Sequence, residues 1–246
     1  MKAMAVTVRL MSLLLVAVVS SSCAAVGSGA LRSESRSVPV AGVTSASVEL
    51  AMGAGELEVT GGAAELVEAN FTYNVARWTP EVDVRQARGR TSVEIEQGGG
   101  RLTLPALGNS YNRWEIRLNP DVPLDLKVRL GAGTTTLQLG GLALEHVDVT
   151  MGAGEAVLDL TGPWEEDVQV EVTGGVGQLR VELPAEVGVR AQVTGGLGSI
   201  RVEGLRAQGG AYVNQAYGVS DVTLELNVRG GVGEVVLVAG ESQERA

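Results

Sequence analysis

Apolar and polar residues alternate along most of this chain, and the alternation is interrupted each time by the same triplet, Gly-x-Gly. Six copies are present, with glycine pairs Gly53/Gly55, Gly131/Gly133, Gly152/Gly154, Gly175/Gly177, Gly196/Gly198 and Gly231/Gly233. Three residues before the first glycine stand Leu50, Val128, Val149, Val172, Val193 and Val228; five before it stand Val48, Leu126, Val147, Val170, Ala191 and Leu226. Two residues after the second glycine come Leu57, Thr135, Ala156, Leu179, Ile200 and Val235; four after it come Val59, Leu137, Leu158, Val181, Val202 and Leu237. Thr135 is the one polar residue in these four columns. The residues between them are mostly polar, as in Gln169, Glu171 and Thr173. A period of two marks a half-buried strand, so each copy predicts a strand, a glycine turn and a second strand.

From Gly131 onward the copies start 21, 23, 21 and 35 residues apart. Self-similarity at such periods marks a solenoid or array, because one two-strand unit cannot bury its apolar face while a stack of them can. The predicted fold is therefore all-β, a β-solenoid or β-helix-like stack of two-strand repeats. Corresponding residues of successive copies, such as Val149, Val172 and Val193, are expected one above another in a single dry column. The glycines suit a tight corner, where no Cβ can clash with the next coil. A phosphate cradle would need G-x-G-x-x-G leading into a helix, whereas here a strand follows and the third glycine is missing.

Residues 63–120 depart from the repeat. Alternating runs at Leu66–Tyr73, Glu81–Gln86, Thr91–Glu96 and Arg113–Leu118 predict an antiparallel excursion packed on the first copy. Turns at Arg88-Gly89-Arg90, Gly98-Gly99-Gly100 and Gly108-Asn109-Ser110 separate them. Phe71, Tyr73, Trp78, Tyr111 and Trp114 cluster here and read as a local core rather than a sugar platform. The chain then divides into a signal peptide at 1–22, a flexible tether at 23–37 and an N-terminal β module with the first repeat at 38–120. Repeats follow at 121–239, and a disordered tail at 240–246. Between Gly196 and Gly231 an insertion of about 206–218 holds Tyr212, Asn214 and Tyr217, a candidate contact surface or a cover for an open end.

The first residues carry an address. Lys2 and Arg9 precede the apolar run Leu10 to Val19, which is too short to span a bilayer. Ser20, Ser21, Ser22 and Cys23, the sole cysteine, follow. This layout is similar to a bacterial lipoprotein signal, with Cys23 as the lipidated residue, although Ser20 stands where that signal usually has an aliphatic. Ordinary cleavage near Ala25 or Ala30, or an uncleaved anchor, are the alternatives. The expected location is the extracytoplasmic side of a membrane, held by the N-terminal lipid, or else secreted or periplasmic.

Charge and chemistry narrow the function further. The formal net charge is −10, which disfavours nucleic acid as a partner. His146 is the single histidine, too few for a zinc site with one cysteine, and there is no G-x-S-x-G elbow for a histidine-based triad to use. Carboxylates such as Asp159, Glu171 and Glu182 alternate with apolar residues, as solvated strand faces do. The sequence thus points to no enzyme, no cofactor and no metal or catalytic residue. It points instead to a non-enzymatic envelope protein that binds or scaffolds, with a protein or glycan as partner. An envelope-stress sensory module acting on a membrane partner is the alternative.

The runs Met52-Gly-Ala-Gly-Glu-Leu, Asn112-Arg-Trp-Glu-Ile-Arg-Leu-Asn-Pro-Asp-Val-Pro-Leu, Gly174-Gly-Val-Gly and Tyr212-Val-Asn-Gln-Ala-Tyr-Gly resemble the bacterial toast-rack family over about residues 43–238. That family is itself similar to the C-terminal domain of cell-wall-active antibiotic response proteins and, more distantly, to β-helical adhesins. The resemblance implies a β-helix-like fold outside the cytoplasm and brings no catalytic residues with it.

Overall fold

The computed structural model describes residues 29–99 and 109–240. The predicted signal peptide, Cys23 and residues 241–246 of the predicted 240–246 tail lie outside the described residues. The described chain is all-β, with one 3-10 turn at Ala76–Trp78. In order, the strands are β1 (Arg32–Val38), β2 (Ser45–Thr60), β3 (Val67–Tyr73), β4 (Pro80–Ala87), β5 (Arg90–Gln97), β6 (Asn112–Leu118), β7 (Leu124–Gln138) and β8 (Leu144–Asp159). There follow β9 (Val168–Leu183), β10 (Gly188–Thr194), β11 (Leu197–Glu203), β12 (Arg206–Gln208), β13 (Ala211–Val213), β14 (Thr223–Arg229) and β15 (Val232–Ala239).

Each long strand runs unbroken through its glycine pair, so the glycines bend a strand rather than end it. Ladder pairing continues across the bend, from Met52 opposite Leu130 to Ala54 opposite Ala132 and Gly55 opposite Gly133. The bend also switches which side chains face inward. Val48, Leu50 and Met52 are buried before it, and Leu57 and Val59 after it. A strand period of two would put even and odd positions on opposite faces, so the corner turns the second half of the strand to face the first. Two walls result, A before the glycines and B after them, with one core between. Each inward Leu or Val contributes about 1.5–3 kcal/mol of burial. Thr135, the polar exception, is buried and donates from Oγ1 to the Leu57 carbonyl.

Wall A reads β4-β5-β2-β7-β8-β9-β14-β10-β13-β12, and wall B reads β1-β3-β6-β2-β7-β8-β9-β15-β11. The rungs are parallel to one another, while β1/β3, β3/β6, β4/β5 and β10/β13/β12 pair antiparallel. This is a β-solenoid-like stack with an antiparallel β excursion at its N-terminal end.

Two expectations need correction. The sequence predicts a flexible tether at 23–37, but β1 occupies Arg32–Val38 and pairs along its whole length with β3. Its inward positions, Arg32, Glu34 and Arg36, are charged, so it carries no apolar alternation. Backbone pairing holds it, together with the Tyr73 hydroxyl donated to Glu34 and the Ser35 hydroxyl donated to Asn70 Oδ1. The stacking order also differs. The last copy in sequence, β14–β15, is inserted between β9 and β10–β11. Val172 therefore meets Val228, and Val228 meets Val193. The column stays continuous, but Val193 becomes its half-buried end.

Candidate functional site

The corner that the glycines build is not uniform along the stack. Inside it lies the residue preceding each pair. In spatial order these are Met52, Leu130, Met151, Gly174, Gly230 and Gly195. The first three are buried and fill the bend, whereas the last three have no side chain. Outside it lies the middle residue of each triplet: Ala54, Ala132, Ala153, Val176, Val232 and Leu197. Side-chain bulk thus passes from inside to outside between β8 and β9. Val176, Val232 and Leu197 are 57%, 49% and 76% exposed, forming an apolar ridge. Behind them is a cavity of about 180 Å³ lined by the bare glycines with Met151, Leu179, Val235 and Ile200.

The two ends of this corner are finished differently. At the proximal end the Gln97 side chain replaces a missing rung, its Oε1 accepting from Gly53 N (3.0 Å) and Ala54 N (3.2 Å). Asn112 Nδ2 donates to the Ala54 carbonyl (2.8 Å) and to Gln97 Oε1 (3.0 Å), and Trp114 Nε1 donates to Asn112 Oδ1 (3.1 Å). Gln97, Asn112 and Trp114 are all buried. At the distal end no such plug covers wall B. Strand β11 pairs with β15 on one side and has no strand on its other side among the described residues.

Wall A is covered there, by the insertion. Strands β13 and β12 form a hairpin on β10 through the turn Gly209-Gly210, with φ of 58° and 79°, the left-handed pair that two-residue hairpins require. Asn214 fixes it. Its Oδ1 accepts from Val189 N and Tyr217 N (both 3.0 Å), and its Nδ2 donates to the carbonyls of Pro184 (3.2 Å) and Val187 (2.7 Å). With its hydrogen-bonding capacity used and 4% exposure, Asn214 latches the cap and offers nothing to a partner, which corrects its place in the predicted contact surface. Tyr212 and Tyr217 are half-buried, and Tyr212 packs against the core.

Titratable groups lie mainly on the outer faces of the walls, paired between rungs, as in Lys127–Asp148 (3.1 Å) and Arg190–Glu225 (3.4 Å). Arg113 has its pKa raised, first by its hydrogen bond to Glu115 and then by the charges of Glu115, Glu58 and Glu56. Asp125, Glu145 and His146 lie close enough to share an ion, but Asp125 also pairs with Arg90 at 3.1 Å and with His146 Nδ1 at 3.2 Å. Glu49, Glu94 and Glu96 form a second acidic group, with Arg129 paired to Glu49. A cation would compete with an arginine in either place.

The bare inner corner was not singled out from the sequence, yet its signal is there. Each triplet with the residue before it reads MGAG, LGAG and MGAG in the first half, then GGVG, GGLG and GGVG. Among the described residues, no helix is long and apolar enough to cross a membrane.

The N-terminal domain of toast_rack, a domain of unknown function, matches residues 27–182. A crystal structure from Clostridium sporogenes, named for a suspected part in cell adhesion, is 30% identical with a TM-score of 0.82, covering 86% of this chain and all of that one. A suspected adhesin from Bacteroides fragilis is 10% identical with a TM-score of 0.30, covering 85% of this chain and 97% of that one. None of the curated proteins matches the chain. By the extent of the domain match and by its likeness to the Clostridium structure, this chain belongs to the toast-rack family.

Proposed function

We propose that this protein is a non-enzymatic adhesin-like module of the bacterial cell envelope, exported and tethered by a lipid on Cys23, with the solenoid as a rigid binding scaffold. The observation that carries the reading is the likeness to the Clostridium structure named for cell adhesion, which spans the whole of that chain. The layout of charges supports it. Catalytic sites gather groups with displaced pKa values in a cleft, whereas Arg113, whose pKa is raised, lies on an outer face among three carboxylates. The apolar run before Cys23 supports export.

Fractionation of the producing cells, with metabolic labelling by a clickable fatty acid, tests this. The wild-type chain is expected in the membrane fraction, labelled and open to protease added to cells stripped of any outer membrane. Cys23→Ala is expected to lose the label and leave the membrane while remaining exported. A cytosolic, unlabelled wild-type protein would overturn the proposal.

A further inference from the structure

Four edge strands end the two walls: β4 and β12 on wall A, β1 and β11 on wall B. An open edge presents unpaired N–H and C=O groups and invites another strand, and proteins guard against this with charge, shortness or covers. Three of the four are guarded. Strand β1 carries inward Arg32, Glu34 and Arg36; β4 carries Glu81, Asp83 and Arg85; β12 is three residues long. Strand β11 is seven residues long, and its first four, Leu197-Gly198-Ser199-Ile200, bear no charge.

The ground around β11 is shaped as well as bare. The β13–β12 cap raises wall A by two strands beyond β10, while wall B stops at β11. With strands about 4.8 Å apart, this leaves a ledge roughly 10 Å deep. The ledge is roughly 23 Å long, the length of seven extended residues. One flank is the exposed ridge ending at Leu197, and beneath it opens the cavity where Gly195, Gly230 and Gly174 replace the methionines and leucine of the earlier rungs.

We propose that this ledge binds an extended peptide segment of a partner polypeptide, which adds to β11 as a further rung and places one apolar side chain in the empty corner. Main-chain hydrogen bonds supply affinity in such strand addition, and alternate side chains supply selectivity. The area argues against a folded second copy. A ledge of about 23 by 10 Å is far below the roughly 800 Å² per partner of a stable protein–protein interface. Charge narrows the peptide. On the outer face of wall B, Arg201 is already paired with Glu234 at 2.9 Å, while Glu203 is exposed and has no ion pair among the described residues. The chain as a whole is acidic, at −10. The occupant that fits alternates apolar residues with basic ones, setting a lysine or arginine opposite Glu203. This inference rests on the adhesin-like reading for its biological sense but not for its chemistry.

The test uses the purified chain and a fluorescent heptapeptide of alternating valine and lysine, followed by anisotropy. Two further peptides serve as probes, one with glutamate for lysine and one with every second amide N-methylated. Saturable binding of the lysine peptide below about 1 mM, weakened at least tenfold by glutamate or N-methylation, is expected. Ile200→Lys, placing a charge at the mouth of the cavity, should cost at least tenfold in affinity. Gly174→Met, filling the cavity from within, should do the same while the fold is retained by circular dichroism. Absence of saturable binding would overturn the proposal, as would equal binding of the N-methylated peptide or affinity unchanged in both variants. Concentration-dependent dimerisation in sedimentation, abolished by Ile200→Lys, would assign the edge to a second copy and overturn it too. Failure here would leave the fractionation result untouched, so the two readings fall separately.

Discussion

The proximal and distal halves of the glycine corner use the same backbone and opposite side chains. Around β2, β7 and β8 the bend is filled by Met52, Leu130 and Met151 and faces outward with alanines. Around β9, β15 and β11 the filling is absent, and valine or leucine stands outside. The glycine pair itself is common to both, because each rung passes within contact of the next: a Cβ on Gly154 would fall on the Gly133 carbonyl oxygen, and one on Gly177 on that of Gly154. The glycines therefore answer to stacking, and the residues beside them are free to differ. That freedom is where a scaffold can acquire a site without altering its fold.

The largest effect is expected where the two halves agree. Gly154→Ala places a methyl against backbone at a φ of 131° and should cost about 4 kcal/mol or prevent folding, read by chemical denaturation. Gly198→Ala makes the same clash with Gly233, but β11 has a neighbour on one side only. It should peel locally and cost under half as much. Next comes Met151→Ala, which gives the filled half the emptiness of the other. Loss of a buried methionine should cost about 2–4 kcal/mol, whereas Leu197→Ala on the exposed ridge should fall within about 0.5 kcal/mol of wild type. Asn214→Ala should cost about 2 kcal/mol by orphaning the cap's backbone groups, seen as faster amide exchange at Val189. One small effect should carry the opposite sign. A Cβ on Gly174 meets nothing within 4 Å, so Gly174→Ala should stabilise by about 0.5–1 kcal/mol, a rise in thermal midpoint.

Much of this was legible in the alternation of Val and Leu around each triplet, because burial on one face of a strand writes itself as a period of two. The four strands of the excursion were legible for the same reason, β3 and β6 through Phe71 and Trp114, which meet edge to face 5.2 Å apart. Strand β1 was not, because an edge held by backbone pairing needs no apolar residues and its inward positions are charged. The order of the last rungs was not legible either. Val193 and Val228 sit in equivalent frames, and no local pattern says which of them Val172 will meet. Asn214 read as a surface residue because asparagine most often is one; only the fold brings the Pro184 and Val187 carbonyls to it.

Native-state hydrogen exchange along the corner, on the chain without peptide, tests the contrast between closed and open halves most directly. Amides of β7 and β8 from Val128 to Leu137 and from Val149 to Leu158 should be protected to the level of global unfolding. In β11, alternate amides between Leu197 and Val202 should exchange orders of magnitude faster, because they face the vacant ledge. Uniform protection across β11, equal to that of β8, would mean that something already occupies the edge and would contradict the account.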